Sequence, residues 1–442
     1  MKRLKMLFLV VLLTSLVSTK AYAITFEDNG IYYETVTDSG VTYAKVVRPN
    51  NVTYTGKVVI PNDVTIPGET PTSIPVKEIN GYVFNGSSIT EVSIGSNIQT
   101  VGNHAFYNCE QLIKAHFESL NALCGISFGD QYSNPLSASQ CLLYIDDSKV
   151  TDIDVPTTIK TIRQYAFAGS KIKSVNIPST VTKIGKSAFI KCDSLKKSSF
   201  ASLQSLCAID FDDQNSNPLY LTNEIYVKGS SDSITSVAIP SGSLRLVNGK
   251  KTIGGNILAG AQYLINVEIP NETDSIGNNA FDGCEGLEVA TFSSKEKVIS
   301  IIYGNDKANP LFYAENLVVG GKSVTDYEVS QDVPDNTFIN SKWLEKVTFN
   351  DNVKHIGKNA FKFCSNLKTV VLPSSLLSID EGAFFGCRNL SDITLPESLQ
   401  SIGKEAFRDC NKFSSIIIPQ GCTNLGDGIF SYCTNIKTVR IE

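Results

Sequence analysis

A 23-residue repeat in the last ninety residues is the feature that most constrains how this chain can fold. The aromatic position of the repeat falls at Phe361, Phe384, Phe407 and Phe430. A cysteine follows three residues later in every copy, at Cys364, Cys387, Cys410 and Cys433. Two positions that keep the same phase over four copies define a repeat, and a period of about 20–50 residues is typical of solenoids and related arrays.

Each copy of the repeat predicts one coil that contains a short strand. Because alternate residues of a strand point to opposite faces, Val175 and Ile177 point inward and Asn176 points outward. Pro178 lacks an amide donor and ends the strand. A single coil cannot bury its apolar side chains, so coils stack and pair their strands in a parallel ladder. The predicted fold class is an α/β repeat solenoid with a parallel β-sheet on one face.

Eleven short coils of about 23 residues are predicted. We call the buried residue that marks each one its key residue; the key residues are Phe84, Phe106, Phe167, Phe189, Leu258, Phe281, Phe338, Phe361, Phe384, Phe407 and Phe430. Three long coils, near 117–155, 200–239 and 292–329, interrupt the series. Each long coil contains a run with helical spacing, an Asn-Pro-Leu sequence, a strand and a hairpin-like return. In the first, Leu120, Leu123 and Cys124 lie on one predicted helix face.

The frame Ile-Gly-x-x-Ala-Phe-x-x-Cys-x-x-Leu-x-x-Val-x-Ile-Pro resembles the BspA-like leucine-rich repeat family. It is clearest from Ile184 to Leu195 and recurs through the C-terminal coils. The resemblance covers about 79–442, and Gly-Ile-Tyr-Tyr at 30–33 is similar to the N-terminal caps of such proteins from the Bacteroidetes. It implies a leucine-rich-repeat right-handed solenoid in an exported or cell-surface protein. Some members of the family are adhesins for host matrix proteins, but the resemblance supplies no ligand residues.

Residues 1–23 are predicted to be a signal peptide. Lys2, Arg3 and Lys5 form a positive region, an apolar run follows at 7–17, and Ala21-Tyr22-Ala23 is a cleavage site for export through the Sec pathway. A membrane anchor is the alternative, but the run is shorter than the roughly 20 residues that a spanning helix needs. No other stretch predicts a membrane span. The mature chain is therefore expected to be secreted, at the cell surface or periplasmic.

Residues 24–78 lack the repeat and are predicted to form a β-rich N-terminal cap, with the repeats at 79–442. Two alternating β-branched and aromatic runs, 31–36 and 42–47, flank Asp38-Ser39-Gly40, which is a hairpin signal. The first coil of a solenoid would otherwise expose an apolar face, so an atypical segment has to cover it. An independent binding domain is the alternative, although about 50 residues is small for one core.

The cysteine, histidine and acidic residues do not predict an enzyme, a metal site or a cofactor. Seven of the eleven cysteines share one coil position, so reduced core thiols are expected. The three histidines lie in different coils, too scattered for a catalytic constellation, at His104, His116 and His355. Cys124 and Cys207 match Ile299 of the third long coil, which indicates core. A calcium loop around Asp210 is the weaker alternative to a solvated acidic loop, because it lacks a turn Gly and a closing Glu.

The outward strand residues are predicted to form a continuous surface, the usual binding face of a solenoid. The candidate binding-face residues are Asn176, Glu268, Thr348, Thr369, Val371, Asp392, Thr394, Ser415, Ile417, Thr438 and Arg440. This set contains two exposed aliphatic residues and no aromatic residue. The chain has a formal net charge of −5, and its mature part has no basic block. The candidate face therefore indicates a protein partner rather than a nucleic acid. Trp343 is either an exposed binding anchor or a lid over the third long coil.

Three functions are consistent with this sequence. The first is an adhesin-like binding protein for a host matrix or surface protein. The second is an envelope scaffold that self-associates through an uncapped last coil around Ile436, Val439 and Ile441. The third is a glycan-binding module, which would need aromatic platforms on the sheet face.

Overall fold

The computed structural model describes residues 23–68, 70–391 and 393–442. The predicted signal peptide, apart from Ala23, lies outside the described residues. The described chain contains many short parallel strands and few helices, arranged as successive coils that stack on one another. Two sets of strands run through the stack. We call them the face ladder, built from the longer strands, and the edge ladder, built mostly from two-residue strands.

The face ladder consists of five separate blocks, which we number in chain order. Block 1 contains Thr55–Ile60, Ser88–Ile94, Lys114–Phe117, Leu142–Ile145 and Ser148–Lys149. Block 2 contains Asp152–Asp154, Ser174–Ile177, Lys197–Phe200 and Tyr226–Val227. Block 3 contains Ser236–Ala238, Asn266–Glu268, Val289–Phe292, Asn316–Val319 and Lys322–Val324. Block 4 contains Asp326–Val329, Lys346–Phe349 and Thr369–Val371, and block 5 contains Ser415–Ile418 and Thr438–Ile441.

The edge ladder runs along the other side of each coil and begins with an N-terminal antiparallel meander. Its first sheet contains Thr25–Asp28, Ile31–Asp38, Val41–Val47, Asp63–Ile66, Thr72–Ile79, Thr100–Val101 and Ser127–Phe128. The second contains Thr161–Ile162, Lys183–Ile184 and Asp210–Phe211. The third contains Arg245–Val247, Lys250–Ile253, Ser275–Ile276 and Ile302–Tyr303. The fourth contains His355–Ile356, Ser378–Ile379, Ser401–Ile402 and Asn424–Leu425.

The prediction of a continuous sheet surface is wrong, because the face ladder is interrupted after each long coil. Ser148–Lys149 pairs antiparallel with Leu142–Ile145, and Lys322–Val324 does the same to Asn316–Val319. Each returning strand occupies the edge on which the next coil would continue the parallel ladder. In the second long coil an antiparallel bridge joins Ile225 to Ile234. Between blocks 4 and 5, residues 391 and 393–397 belong to no strand.

The long coils carry the short helices that their sequences predict. The α-helices are Leu120–Gly125, Leu203–Ala208, Leu219–Thr222 and Lys295–Ser300. The 3-10 helices are Gln131–Ser133, Pro135–Ser137, Gln214–Ser216, Ser241–Ser243, Asp306–Ala308 and Pro310–Phe312. Ser119, Ser202 and Ser294 each accept a hydrogen bond from an amide in the first turn of the helix that follows. Across 23–68, 70–391 and 393–442, no helix has both the length and the apolar character to cross a membrane.

The key residues form the centre of the core. All eleven are buried except Phe430, which is partly buried and packs against the core. In the C-terminal coils their rings stack almost parallel, with Phe384 5.2 Å from Phe361 and 5.3 Å from Phe407 between centroids. Trp343 is also buried, with its ring 6.2 Å from Phe338, which excludes an exposed binding anchor at this position.

One turn geometry surrounds every key residue. The residues two before and two after each key residue all have positive φ angles, between 51° and 85°. Glycine and asparagine adopt this left-handed conformation at the lowest cost. They fill many of these positions, such as Asn256 and Gly260 around Leu258. Several coils instead place a tyrosine, histidine, phenylalanine, lysine or carboxylate there, and some of these residues carry exposed rings.

The repeat cysteines have a second role besides filling space. Each of the seven repeat thiols donates to the backbone carbonyl of the key residue one coil earlier, as Cys387 Sγ does to Phe361 O at 3.2 Å. A cysteine is small enough for this space and still offers an S–H donor. All eleven cysteines are free thiols, as predicted, and Cys433 is the one that is not fully buried.

We expect the thiols to resist modification in the folded protein. Burial raises the pKa of Cys192 and of Cys207 to about 12, so both are uncharged at neutral pH. A thiol-exchange reagent should therefore react with Cys433 at most in the native protein, and with all eleven thiols in denaturant without reductant. Fewer than eleven reactive thiols in denaturant would contradict the free-thiol core.

The raised pKa values of the buried thiols also predict that the stability of the fold falls above pH 9. In that range the thiols of the unfolded chain lose their protons while those of the folded chain keep them, so ionisation favours the unfolded state.

Candidate functional site

A four-residue face strand presents two outward side chains at fixed positions. In the strand Ser174–Ile177, these are Ser174 and Asn176, while Val175 and Ile177 are buried. The register of the parallel pairs aligns Asn176 with Asp154 on one side and Ser199 on the other. The outward side chains of a block therefore form two straight rows across its strands, spaced by the distance between strands.

Most of the predicted binding-face residues lie in these rows, but in four different blocks. Asn176 is in block 2 and Glu268 is in block 3. Thr348, Thr369 and Val371 are in block 4, where Thr348 is in register with Val371. Ser415, Ile417, Thr438 and Arg440 are in block 5, with Ser415 opposite Thr438 and Ile417 opposite Arg440. Thr394 is exposed but belongs to no assigned strand, and Asp392 lies outside the described residues.

The exposure of these residues separates them into two groups. Asn176 is half-buried and donates to Asp154 Oδ1 at 2.7 Å, and it also accepts from the hydroxyl of Ser199. Its amide is therefore already occupied within the sheet. By contrast, Val371 and Ile417 are 45% and 49% exposed, although both are aliphatic. Val59 of block 1 is also 49% exposed, so exposed aliphatic side chains lie on the sheet face in blocks 1, 4 and 5.

Two outward tyrosines on the face ladder were missed by the sequence analysis. Tyr144 ends the row of block 1 and stacks on His116, with 4.7 Å between ring centroids. Tyr226 holds the matching position in block 2, with Lys197 Nζ 4.3 Å from its ring centroid. Strict alternation within the predicted strands 142–145 and 225–227 would have identified both. The expectation of a face without aromatic residues is therefore wrong for the long coils.

The hairpin turns of two long coils overhang the ends of the face strands and enclose shallow cavities. The first, of about 220 Å³, lies between Val59, His116 and the turn residues Asp146 and Asp147. His116 Nδ1 lies 3.1 Å from Asp147 Oδ1, which fixes the turn over the strand. The second, of about 460 Å³, is lined by Glu268, Glu272, Thr291 and the turn Gly320–Gly321.

Some charged side chains on the face form hydrogen bonds with a neighbouring side chain. Lys114 Nζ lies 2.7 Å from Glu91 Oε1, and this hydrogen bond holds the pKa of the Glu91 carboxyl below its ordinary value. Hydrogen bonds from Ser174 and Thr151 likewise lower the pKa of Asp152. Pairs of this kind lie at the surface and contribute little to stability.

The acidic loop of the second long coil is engaged in structural contacts. Asp212 lies 3.0 Å from Lys183 Nζ, and Asp210 contacts the guanidinium of Arg245, which comes from the hairpin inserted at 241–253. Asp213 accepts from the backbone N–H of Ser187 at 3.0 Å. Within the described ranges, no group of three or more His, Cys, Asp or Glu residues is placed to hold a metal ion.

The repeat frame, the stacked coils and the two ladders together define a leucine-rich-repeat protein. The family profile described as the BspA type leucine-rich repeat region matches in several copies, over residues 61–133, 143–244, 221–303 and 331–442. The chain therefore belongs to the BspA-type leucine-rich repeat family. The match includes residues 61–78, which the sequence analysis assigned to the cap.

Several solved structures are similar to this chain. A leucine-rich cell surface protein from Faecalibacterium prausnitzii is 17% identical, with 95% of each chain covered and a TM-score of 0.43. A leucine-rich repeat protein from Bacteroides ovatus is 21% identical, with 94% of each chain covered and a TM-score of 0.41. One from Eubacterium ventriosum is 21% identical, covering 88% of this chain and 95% of its own, with a TM-score of 0.44. The comparison with curated proteins found no match.

Proposed function

We propose that this chain is an exported binding protein of the adhesin type, which recognises a protein partner through the outward rows of its face ladder. The observation that carries the proposal is that the exposed aliphatic residues Val371 and Ile417 lie among polar outward residues in blocks 4 and 5. A protein interface buries a small apolar centre inside a polar rim. Blocks 4 and 5 offer both, because Thr348 is in register with Val371 and Arg440 is in register with Ile417.

The rest of the chain supports this role as a rigid frame. The proposed arrangement is a right-handed solenoid of eleven short and three long coils, with residues 24–78 as an N-terminal cap and 1–23 as a signal peptide. Cleavage after Ala23 would release the mature chain for export. The uniform core holds the backbone of each coil in the same place, so the outward residues alone vary from coil to coil. A uniform core that supports variable surface residues suits recognition rather than catalysis.

The test is a binding assay of residues 24–442 against immobilised extracellular-matrix proteins and mucins. The double variant Val371→Asp, Ile417→Asp adds two charges at the proposed centre of the interface. It should weaken saturable binding to the recognised protein by at least about tenfold, as expected for interface anchors. The matched control, Ala238→Asp with Thr291→Asp, adds the same charges to block 3 and should leave binding unchanged.

Two outcomes would count against the adhesin proposal. If no matrix protein or mucin shows saturable binding, the host-protein partner is rejected. If both double variants bind as well as the original chain, the recognised surface lies elsewhere. Equal loss in both would mean that the added charge itself, rather than blocks 4 and 5, weakens binding.

Self-association is the second proposal, and it rests on the strand Thr438–Ile441. This strand pairs with Ser415–Ile418, and its Val439 and Ile441 are 44% and 66% exposed. An exposed apolar edge strand is a template for pairing with another chain. Sedimentation over a wide range of concentrations should then show association that Ile441→Asp abolishes. A chain that stays monomeric at the highest concentration would exclude the scaffold role.

A further inference from the structure

Four aromatic rings meet on the turn side of the first two short coils, away from the face ladder. They are Tyr82, His104, Tyr107 and Tyr132, which we call the turn-side aromatic cluster. Tyr82 stacks on His104 with 5.2 Å between centroids and an interplanar angle of 19°. Tyr107 and Tyr132 pack edge to face at 5.0 Å, and His104 contacts both. Tyr82 and Tyr107 remain 54% and 37% exposed. The rings therefore form a platform that is open to solvent.

The backbone under two of these rings is strained. Tyr82 and His104 occupy the position two before a key residue, with φ angles of 61° and 57°. Six other coils use a residue that accepts this conformation readily, namely Asn256, Asn279, Asn336, Asn359, Gly382 and Gly428. A left-handed conformation costs roughly 1–2 kcal/mol for a residue with an ordinary side chain. Tyr165, Ser187 and Glu405 have the same left-handed φ at this position, so the strain alone does not single out the first two coils.

The fold does not need the rings. The second pair of short coils and its long coil keep the same backbone contact, since Phe106 N donates to Tyr132 O at 3.0 Å and Phe189 N donates to Asn215 O at 3.1 Å. The residues at the positions of His104, Tyr107 and Tyr132 are Ser187, Ile190 and Asn215 there. In the third pair they are Asn279, Asp282 and Lys307. The four-ring arrangement is thus specific to the first pair, although single aromatic residues recur at two of these positions, as Tyr165 and Phe385.

One carboxylate positions two of the rings. Asp130 Oδ2 lies 2.5 Å from His104 Nδ1, and Asp130 Oδ1 accepts from the backbone N–H of Tyr132 at 2.9 Å and of Ser133 at 2.8 Å. The backbone N–H of His104 also donates to both carboxylate oxygens of Asp130 at 3.2 Å, so one carboxylate holds the backbones that carry His104 and Tyr132. A platform that is ordered before binding loses little entropy when a ligand arrives.

We propose that the turn-side aromatic cluster binds a neutral carbohydrate. The cluster borders a cavity of about 190 Å³ whose lining combines Tyr107 and Tyr132 with the polar side chains of Asn108, Glu110, Ser137 and Ser139. A sugar ring has an apolar face that packs on an aromatic ring and a rim of hydroxyl groups that needs hydrogen-bond donors and acceptors. The cavity provides both within one short span. This site is separate from the face ladder and does not depend on the proposed protein partner.

The charges near the cluster disfavour a nucleic acid. Single-stranded nucleic acids bind grooves that combine stacking rings with several cations. Here Glu110 lines the cavity, Asp130 supports it, and the chain carries a formal charge of −5. Lys191 Nζ lies 5.5 Å from the centroid of the Tyr132 ring, so its charge is directed at the ring.

The proposal is tested by native affinity electrophoresis of residues 24–442 in gels that contain xylan, mannan, galactan or a mixed-linkage glucan. At least one of these neutral polysaccharides should retard the chain. The quadruple variant Tyr82→Asn, His104→Asn, Tyr107→Ile, Tyr132→Asn should bind at least about tenfold more weakly. Each substitution introduces a residue that another coil carries at the same position, so the variant should fold, which circular dichroism and thermal melting would verify.

The control is Tyr165→Asn, which makes the same change at the position of Tyr82 in the second pair of coils and should leave retardation unchanged. Failure of all four polysaccharides to retard the chain would overturn the proposal. The proposal would also be overturned if the quadruple variant were retarded as strongly as the original chain. Retardation by hyaluronan alone, or binding of poly-L-proline in place of the polysaccharides, would show that the cluster serves an anionic glycan or a proline-rich peptide instead.

Discussion

Phe384→Ala is expected to destabilise the C-terminal coils by about 3–5 kcal/mol, the usual cost of removing a fully buried phenylalanine ring. Phe384 is completely buried between the parallel rings of Phe361 and Phe407. The substitution removes contacts on both sides and leaves a cavity in the middle of the stack. Denaturant unfolding measures the loss.

The effect of Phe384→Ala should also be local. Coils of a repeat protein contact mainly their neighbours, so a weak point separates the array into parts. Hydrogen exchange should accelerate in residues 353–442 and stay unchanged in residues 84–200. Phe363→Asn is the matched control, because Phe363 is 39% exposed and its φ of 63° is one that asparagine adopts readily. It should change stability by less than about 1 kcal/mol. Uniform acceleration along the whole chain would contradict a nearest-neighbour array.

Asn217→Asp should have the second large effect, about 3–5 kcal/mol, although it barely changes the volume of the side chain. Asn217 belongs to the Asn-Pro-Leu sequence of the second long coil and has no solvent exposure. Its amide donates to the carbonyls of Asn256 at 2.7 Å and Ile257 at 3.1 Å, both in the next coil. Its Oδ1 accepts from the backbone N–H of Leu219 at 3.0 Å. A carboxylate in this place would face two carbonyl oxygens without any proton to offer.

The pH dependence separates this mechanism from a simple packing defect. A buried carboxyl has its pKa raised above the unfolded value of about 3.9, so its penalty grows as pH rises above that value. The stability gap between Asn217→Asp and the original chain should therefore narrow as pH falls towards 4. Asn271→Asp makes the same chemical change at an exposed position and should show neither the loss nor its pH dependence. A gap that is independent of pH would mean that charge is not the cause.

The same contact explains why Asn-Pro-Leu recurs. Asn134 and Asn309 are also fully buried, and each donates to two carbonyls of the following coil. In each case Oδ1 accepts from the amide two residues ahead. The side chain thus joins a long coil to the next short one. The sequence showed the motif three times, but the acceptors are 27–40 residues away and no local pattern points to them.

The candidate binding surface was predictable in part. Strand alternation placed Val371, Ile417 and Arg440 on the outward side, and the structure finds them there. The same rule applied to the long coils would have found Tyr144 and Tyr226. It could not have found the breaks between blocks, because a break depends on which neighbour takes the free edge of a strand. A returning hairpin and a following coil compete for that edge, and only the folded chain decides between them.

The sequence by itself determined the length of each short coil and the residues that form its core. The 23-residue period, the key residues and the repeat cysteines follow from a requirement that every coil shares, which is to bury one large apolar side chain and one small side chain against its neighbours. The tertiary structure decided everything that depends on the stacking of different coils. Tyr82, His104, Tyr107 and Tyr132 come from three successive coils and meet because the coils stack in register. The physical reason is that a repeat encodes contacts within one period, whereas a surface is assembled from residues that the period keeps apart.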